Sequence, residues 1–349
     1  MSQPGTPSRI VLASLWLLVG AAMLAVPIWV GWTRWPVLLN GHPALLATTI
    51  GTAMIGVVAV AWALASLIRG GRFDEFGDPD HPQHRTKTQL QRRARWRISL
   101  AVPTLLICLV LVAVTAWSRP FAASAEAVAA ARTSDTVRIA DRLTWFEMTG
   151  IRKDQNGQEI KPTVGLVFSP GARVDSRAYA RLLTPLARAG YLVIILKEPF
   201  GIALADPGHA ARAIEVHPKV RYWAVGGHSL GGTAAAAFAD AHPQVKGLVL
   251  YASYPAGRLA RTDLKVTSIS GTADQLATPA DIADSKGNLP AGTKFVPIRG
   301  AVHAYFGDYG EQPGDGTPSI ERPAAQAQIA KTTQALMASL VPPPPKKKK

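Results

Sequence analysis

The chain has 349 residues, 48% of them hydrophobic and only 17% charged, with one cysteine and a formal net charge of +15. A single cysteine excludes an intramolecular disulfide and a cysteine-based metal cluster. The charge is not a nucleic-acid signature. Residues 1–118 carry 10 Lys+Arg against 4 Asp+Glu (+6), and residues 119–349 carry 28 against 19 (+9), with no basic stripe interleaved with aromatics.

Three uncharged apolar runs come first, at residues 10–32, 44–68 and 98–117. Each has about 20 residues or more, enough to cross a hydrocarbon core of ~30 Å. The first is long for a cleaved signal peptide, and two more runs follow it. Trp29, Trp32, Trp35, Trp96 and Trp117 lie at or near the run ends, where indole rings favour the headgroup layer. Residues 69–97 hold eight Lys+Arg, while the loop between the first two runs holds one, Arg34. The positive-inside rule therefore puts the basic loop and the N-terminus in the cytoplasm and everything after Ser118 outside.

Residues 119–139 read as a linker, alanine-rich at its start, and the pattern changes beyond it. Short apolar runs at 163–169, 191–199, 222–229, 245–253, 264–271 and 293–300 predict strands. Segments 175–190, 208–218, 231–243 and 320–340 between and after them predict helices. Continuous apolar strands alternating with helices imply an α/β domain with a mostly parallel sheet covered on both faces. Sites in such sheets lie at the carboxyl ends of the strands.

The stretch Gly227-His228-Ser229-Leu230-Gly231 is G-x-S-x-G where a strand meets a helix. Glycines at 227 and 231 relieve a turn too tight for side chains, and Ser229 then projects above the sheet. The Leu230 amide points into the same space and can hold an oxyanion. A serine nucleophile needs a base, and the base needs an orienting acid. Only His242 and His303 follow Ser229. His242 lies about 13 residues down the following helix, roughly 20 Å away, and reads as a helix terminator before Pro243. His303 follows the 293–300 strand, on the same sheet edge as Ser229. Among Asp240, Asp263, Asp274, Asp281 and Asp284, only Asp274 follows a strand at that edge. A second oxyanion donor is expected after an early strand. There Gly171 allows a close turn and Ala172 offers its amide.

These residues resemble the α/β-hydrolase superfamily. More narrowly they are similar to a compact bacterial group, through Pro170-Gly171-x-x-Val174-x-x-x-x-Tyr179, the Gly226–Gly232 elbow GGHSLGG, and His303-x-x-Phe306-Gly-Asp-Tyr-Gly310 followed by Pro313–Gly316. The similarity spans about residues 140–340. It implies an acyl-enzyme ester hydrolase, carboxylesterase- or lipase-like, needing no cofactor or metal. Such proteins often carry GGNH before the histidine where this chain has Gly300-Ala-Val-His303, so a polar neighbour of the base is missing. Only ten residues, 254–263, are available for a lid between the relevant strands, so no lid domain fits. Asp308 and Asp315 read as ties between the histidine loop and its neighbours.

The sequence thus predicts an α/β-hydrolase fold without a lid, preceded by three transmembrane helices. The divisions are a membrane region (1–118), a linker (119–139), the hydrolase domain (140–341) and a Pro/Lys tail (342–349). The expected activity is a membrane-anchored serine hydrolase acting on a small-molecule or lipid ester through Ser229, Asp274 and His303, with Leu230 and Ala172 as oxyanion donors. Two alternatives stay open: an envelope acyltransferase, and a catalytically idle scaffold or binding protein.

Overall fold

The computed structural model describes residues 6–72 and 87–342, with side chains for 10–68 and 99–342. The side chains of the basic 69–97 segment and the Pro/Lys tail from residue 343 lie outside the described residues. Two compact units form, one of Met1–Leu38 with Leu45–Arg119, the other of Leu39–Ala44 with Pro120–Lys349.

The first unit consists of α1 (Thr6–Asn40), α2 (Pro43–Arg72) and α3 (Lys87–Trp117). Their stretches Ile10–Asn40, Pro43–Ile68 and Ser99–Trp117 are long and apolar enough to cross a membrane. The first outruns its predicted end at Trp32. Arg34 ends the apolar run, but it does not end the helix; it sits in a kink (φ −138°, ψ 17°) two residues before Pro36. Proline removes an amide donor and crowds the preceding turn, which bends a helix without ending it. A methyl group on Gly56 of α2 would sit 2.9 Å from Met23 Cβ of α1, so small residues let these backbones approach. The buried hydroxyls of Thr52 and Thr115, 3.1 Å apart, join α2 to α3.

The second unit is built on an eight-stranded sheet of order β1-β2-β4-β3-β5-β6-β7-β8. The strands are β1 (Val137–Asp141), β2 (Trp145–Gly150), β3 (Val164–Ser169), β4 (Leu192–Leu196), β5 (Tyr222–His228), β6 (Val245–Tyr251), β7 (Lys265–Gly271) and β8 (Lys294–Ile298). The helices are α4 (Ala125–Ala130), α5 (Ala180–Arg188), α6 (His209–Glu215), α7 (Leu230–Ala241), α8 (Pro279–Asp284) and α9 (Arg322–Ser339). The β1–β2 and β2–β4 pairs are antiparallel, and the other pairs are parallel. Every residue of β3 and β4 is buried, as continuous apolar runs require of strands covered on both faces. Leu182, Leu183 and Leu186 of α5 and Ile329 and Met337 of α9 belong to one apolar cluster. Ala210 and Ala213 of α6 and Ala236 and Phe238 of α7 belong to a second. Each large aliphatic side chain buried in this way contributes about 2 kcal/mol. This is the α/β-hydrolase fold, with no helix in the 252–264 connection where a lid would be inserted.

The expected linker is not a spacer. The second unit starts at Pro120 rather than at residue 140. Phe121 forms a parallel bridge with Val174, α4 follows, and β1 adds an antiparallel strand at the sheet edge.

Asp308 draws several of these pieces together. Its carboxylate accepts from Arg181 Nη2 (2.7 Å) on α5 and from Gln326 Nε2 (3.1 Å) on α9. Its own N–H donates to Ala178 O at 2.8 Å, and its carbonyl accepts from Ser124 N at 2.7 Å. The side chain is buried, so losing it takes an acceptor from Gln326 Nε2 and from Arg181, which keeps Gln326 Oε1. Asp308→Ala is expected to lower stability by about 2 kcal/mol. By thermal unfolding that is a drop of about 6 °C, with Arg181→Ala, which leaves the buried Asp308 carboxylate without its cation, costing more.

Candidate active site

The elbow is a steric construction. Ser229 joins β5 to α7 with φ 53° and ψ −127°, a conformation that costs a non-glycine residue about 1–3 kcal/mol. A methyl group on Gly227 would lie 2.4 Å from the Gly231 carbonyl carbon. One on Gly231 would lie 2.2 Å from the carbonyl oxygens of Ser169 and Pro170, at the end of β3. The second glycine therefore makes room for a neighbouring strand rather than for Gly227. The strained residue is held by Ser229 N–H to Tyr251 O (3.0 Å) and by Ser253 Oγ, which donates to Ser229 O (2.6 Å). Ser253 carried no signal in the sequence.

Asp274 and His303 come together. His303 Nδ1 lies 2.9 Å from Asp274 Oδ2, with exposures of 1% and 0%. Asp274 Oδ1 also accepts from Leu276 N and Ala277 N, each at 2.8 Å. A carboxylate oxygen accepts, so the ring nitrogen facing it, Nδ1, is the donor of this pair. That leaves the Nε2 lone pair for accepting a proton. Nε2 is buried and has no hydrogen-bond partner among the described residues.

The loops carrying these two residues are stitched by backbone bonds. Ala273 N donates to Ala301 O (3.0 Å) and Thr272 N to Ile298 O (3.1 Å). Asp315 accepts from His303 N (3.1 Å) and Ala304 N (2.8 Å). The apolar Ala301 and Val302 before the histidine are buried. The carboxylate of Asp315 supplies the polar support that the sequence lacks at position 302.

The candidate oxyanion loop is tied to the elbow by a pair whose role sequence reasoning missed. Tyr179 OH accepts from Gly171 N (2.9 Å) and sits 2.9 Å from His228 Nδ1. Burial pushes the Tyr179 phenol up, so it keeps its proton and donates it to His228 Nδ1. Burial, and then the neighbouring His303 ring at 4.5 Å, hold His228 well below its ordinary value of 6.5. His228 is therefore a neutral acceptor packed against the His303 imidazole. Ala172 is half-buried and follows Gly171; Leu230 opens α7 beside Ser229.

The rejected candidates have other work. Asp240 accepts from Arg261 N (2.9 Å), and Asp263 pairs with the Arg261 guanidinium at 2.6 Å. Asp281 completes a capping box with Thr278 at the start of α8. His242 stacks on Phe238 at 3.8 Å, at the end of α7. Among the described residues no cluster of His, Cys, Asp or Glu is arranged to hold a metal.

Residues 165–327 match a family model described as the alpha/beta hydrolase family. No curated protein matches the chain. A solved structure described as m3DLH is 16% identical with a TM-score of 0.44, covering 57% of this chain and 92% of its own. TT1662 from Thermus thermophilus is 13% identical with a TM-score of 0.43, covering 58% and 98%. A Klebsiella pneumoniae protein provisionally described as a dienelactone hydrolase is 18% identical with a TM-score of 0.41, covering 56% and 92%. Likenesses at this level carry no argument about activity. The second unit has the α/β-hydrolase fold, and the family match supports a hydrolase.

Two measurements probe the Tyr179–His228 pair. Tyr179→Phe leaves Gly171 N–H and His228 Nδ1 without their partner and is expected to cost about 2 kcal/mol in chemical denaturation. The folded protonation point of His228 lies below the unfolded one, so the stability it supports is complete above 6.5 and is lost as pH falls below it. Denaturation at about pH 7.5 and about pH 5.5 is expected to show a smaller acid loss in His228→Gln than in the unsubstituted protein.

Proposed function

We propose that the protein is a membrane-anchored serine hydrolase that cleaves carboxylic esters from the extracytoplasmic side. The observation that carries the reading is the buried Asp274–His303 pair, which leaves an unpartnered Nε2, on the sheet edge where strained Ser229 stands.

In this reading His303 Nε2 takes the Ser229 proton as Oγ forms a bond to the ester carbonyl carbon. The carbonyl oxygen becomes an oxyanion facing the Leu230 and Ala172 amides. The acyl C–O bond then breaks, and the proton on His303 passes to the leaving alcohol. Water gives a proton to His303, its oxygen attacks the acyl-enzyme, and the acid departs as the proton returns to Ser229. Asp274 holds the Nδ1 side of the ring and faces the imidazolium that forms. The helix N-terminus of α7 favours the developing negative charge. Esters suit the site better than amides, because an amine leaving group demands more of the acid.

Labelling with a fluorophosphonate probe tests the reading. The unsubstituted protein is expected to label and Ser229→Ala to fail to label. Asp274→Asn presents the wrong tautomer of His303 and is expected to lower kcat on a soluble ester by about 10⁴-fold. Folded protein that does not label, or equal labelling of Ser229→Ala, would overturn the assignment of the nucleophile.

A further inference from the structure

We propose that the substrate is an amphiphilic acyl ester residing in a lipid leaflet, and that the chain tethers the catalytic site at the headgroup layer to meet it. This rests on the serine-hydrolase reading above and on a membrane setting for the three apolar helices.

The apolar stretch of α3 ends at Trp117. Ser118 closes that helix, its N–H and Oγ both donating to Val114 O, at 2.8 and 2.7 Å. The Arg119 guanidinium lies 4.7 Å over the Trp29 ring and donates through Nε to Thr33 Oγ1 at 3.2 Å. Chain after the last span therefore stays fixed to the helical unit through Arg119. The next residue is Pro120, whose ring locks φ. The residue after that, Phe121, is already built into the hydrolase domain beside the candidate oxyanion loop.

Phe121 is held from several directions. Its N–H donates to Arg173 O at 2.7 Å, and its carbonyl accepts from Asp175 N at 2.9 Å. The Arg173 guanidinium lies 5.2 Å from its ring, and the Tyr309 ring lies 5.8 Å from it. Arg173 directly follows Ala172. Tyr309 is in turn 6.0 Å from His228, the neighbour of Ser229. Chain four residues beyond the last residue of the span is thus packed against the residue that follows the candidate oxyanion donor Ala172.

Four residues span at most about 14 Å even when fully extended. The exposed Trp29, Trp32 and Trp117 rings suit the headgroup layer, which is itself several ångströms deep. Phe121, which braces the loop of the candidate oxyanion donor, therefore stays within about 14 Å of the end of the span by covalent length alone. With no lid to cover the site, an ester in the same leaflet meets it at the high effective concentration of a tethered pair. The reaction is the one already described: the acyl C–O bond breaks and water is consumed.

The test uses the full-length protein in phosphatidylcholine vesicles. The long-chain ester umbelliferyl oleate is placed in the same vesicles or in separate, protein-free ones, and umbelliferyl butyrate serves as the soluble control. Oleate in the protein's own vesicles is expected to turn over at least about tenfold faster than oleate supplied in separate ones. A flexible Gly-Ser insert of about twelve residues between Arg119 and Pro120 adds a reach of about 20 Å. It is expected to reduce same-vesicle oleate turnover about fivefold while butyrate turnover stays within about twofold.

Butyrate turnover with equal oleate rates in the two arrangements would overturn this inference and leave the hydrolase reading standing. An insert that leaves the same-vesicle rate unchanged would do the same. If the insert abolishes fluorophosphonate labelling, the same-vesicle against separate-vesicle ratio of the unmodified protein decides alone. Absence of labelling and of turnover on both esters would overturn the hydrolase reading and this inference together.

Discussion

The site depends on one backbone crossing that is too tight for a side chain. The first turn of α7 presses on the end of β3 so closely that Gly231 has no room for a methyl group against Ser169 O and Pro170 O. That contact sets the height at which α7 leaves the sheet. Ser229 must then take a positive φ to connect β5 to α7. The strain is stored locally, and a stiff frame is needed to hold it. The frame is the central sheet, where Leu248, Val249, Leu250 and Tyr251 of β6 are fully buried and Tyr251 O anchors the Ser229 amide. A looser frame would let Ser229 relax out of its positive-φ conformation.

The segment after β8 solves a different problem. Residues 299–316 form only one short turn of regular structure, His303–Phe306, yet much of the segment is buried. Buried backbone without ladder partners is costly unless side chains satisfy it. Asp315 answers from the donor side, accepting from His303 N and Ala304 N. Arg322 answers from the acceptor side, donating to Ala304 O, Gly307 O and Gly310 O. Asp308 adds the links to α5 and α9. His303 is therefore positioned by partly and fully buried charges rather than by a strand or helix, which explains how a loop holds its ring still.

Much of this architecture can be read in the sequence because it follows from local pattern. Strands β3 to β8 are apolar runs with turn residues between them. Ser229, Asp274 and His303 each sit just past a strand's end, where chain order and sheet geometry suffice to single them out. Strands β1 and β2 could not be found in the same way. The β1 sequence Val137-Arg-Ile-Ala-Asp141 lies at the sheet edge and is only partly buried, so neither apolar continuity nor clean alternation marks it. Tyr179 and His228 are both visible in motifs. Their hydrogen bond joins residues 49 positions apart and arises only when the sheet brings β3 beside β5. Asp308 and Asp315 could be read as ties, but which groups they tie could not.

The misread linker shows why composition misleads at a junction. Residues 119–135 are rich in alanine and small side chains, which bury little area and so carry no core signature. The segment is held by other means. Backbone bonds fix Phe121 and Ser124, the Asp175 carboxylate lies 3.4 Å from Ala123 N, and the Ser124 hydroxyl caps α4. Each such bond adds only about 1 kcal/mol, but the segment is short, so few residues must be ordered to make them. Alanine is well suited to this task, because it loses no side-chain entropy on being fixed and lets the chain lie close to α5. A stretch that looks like a flexible spacer is thereby a part of the second unit itself, and its first aromatic residue is bonded on both sides to the 173–175 backbone.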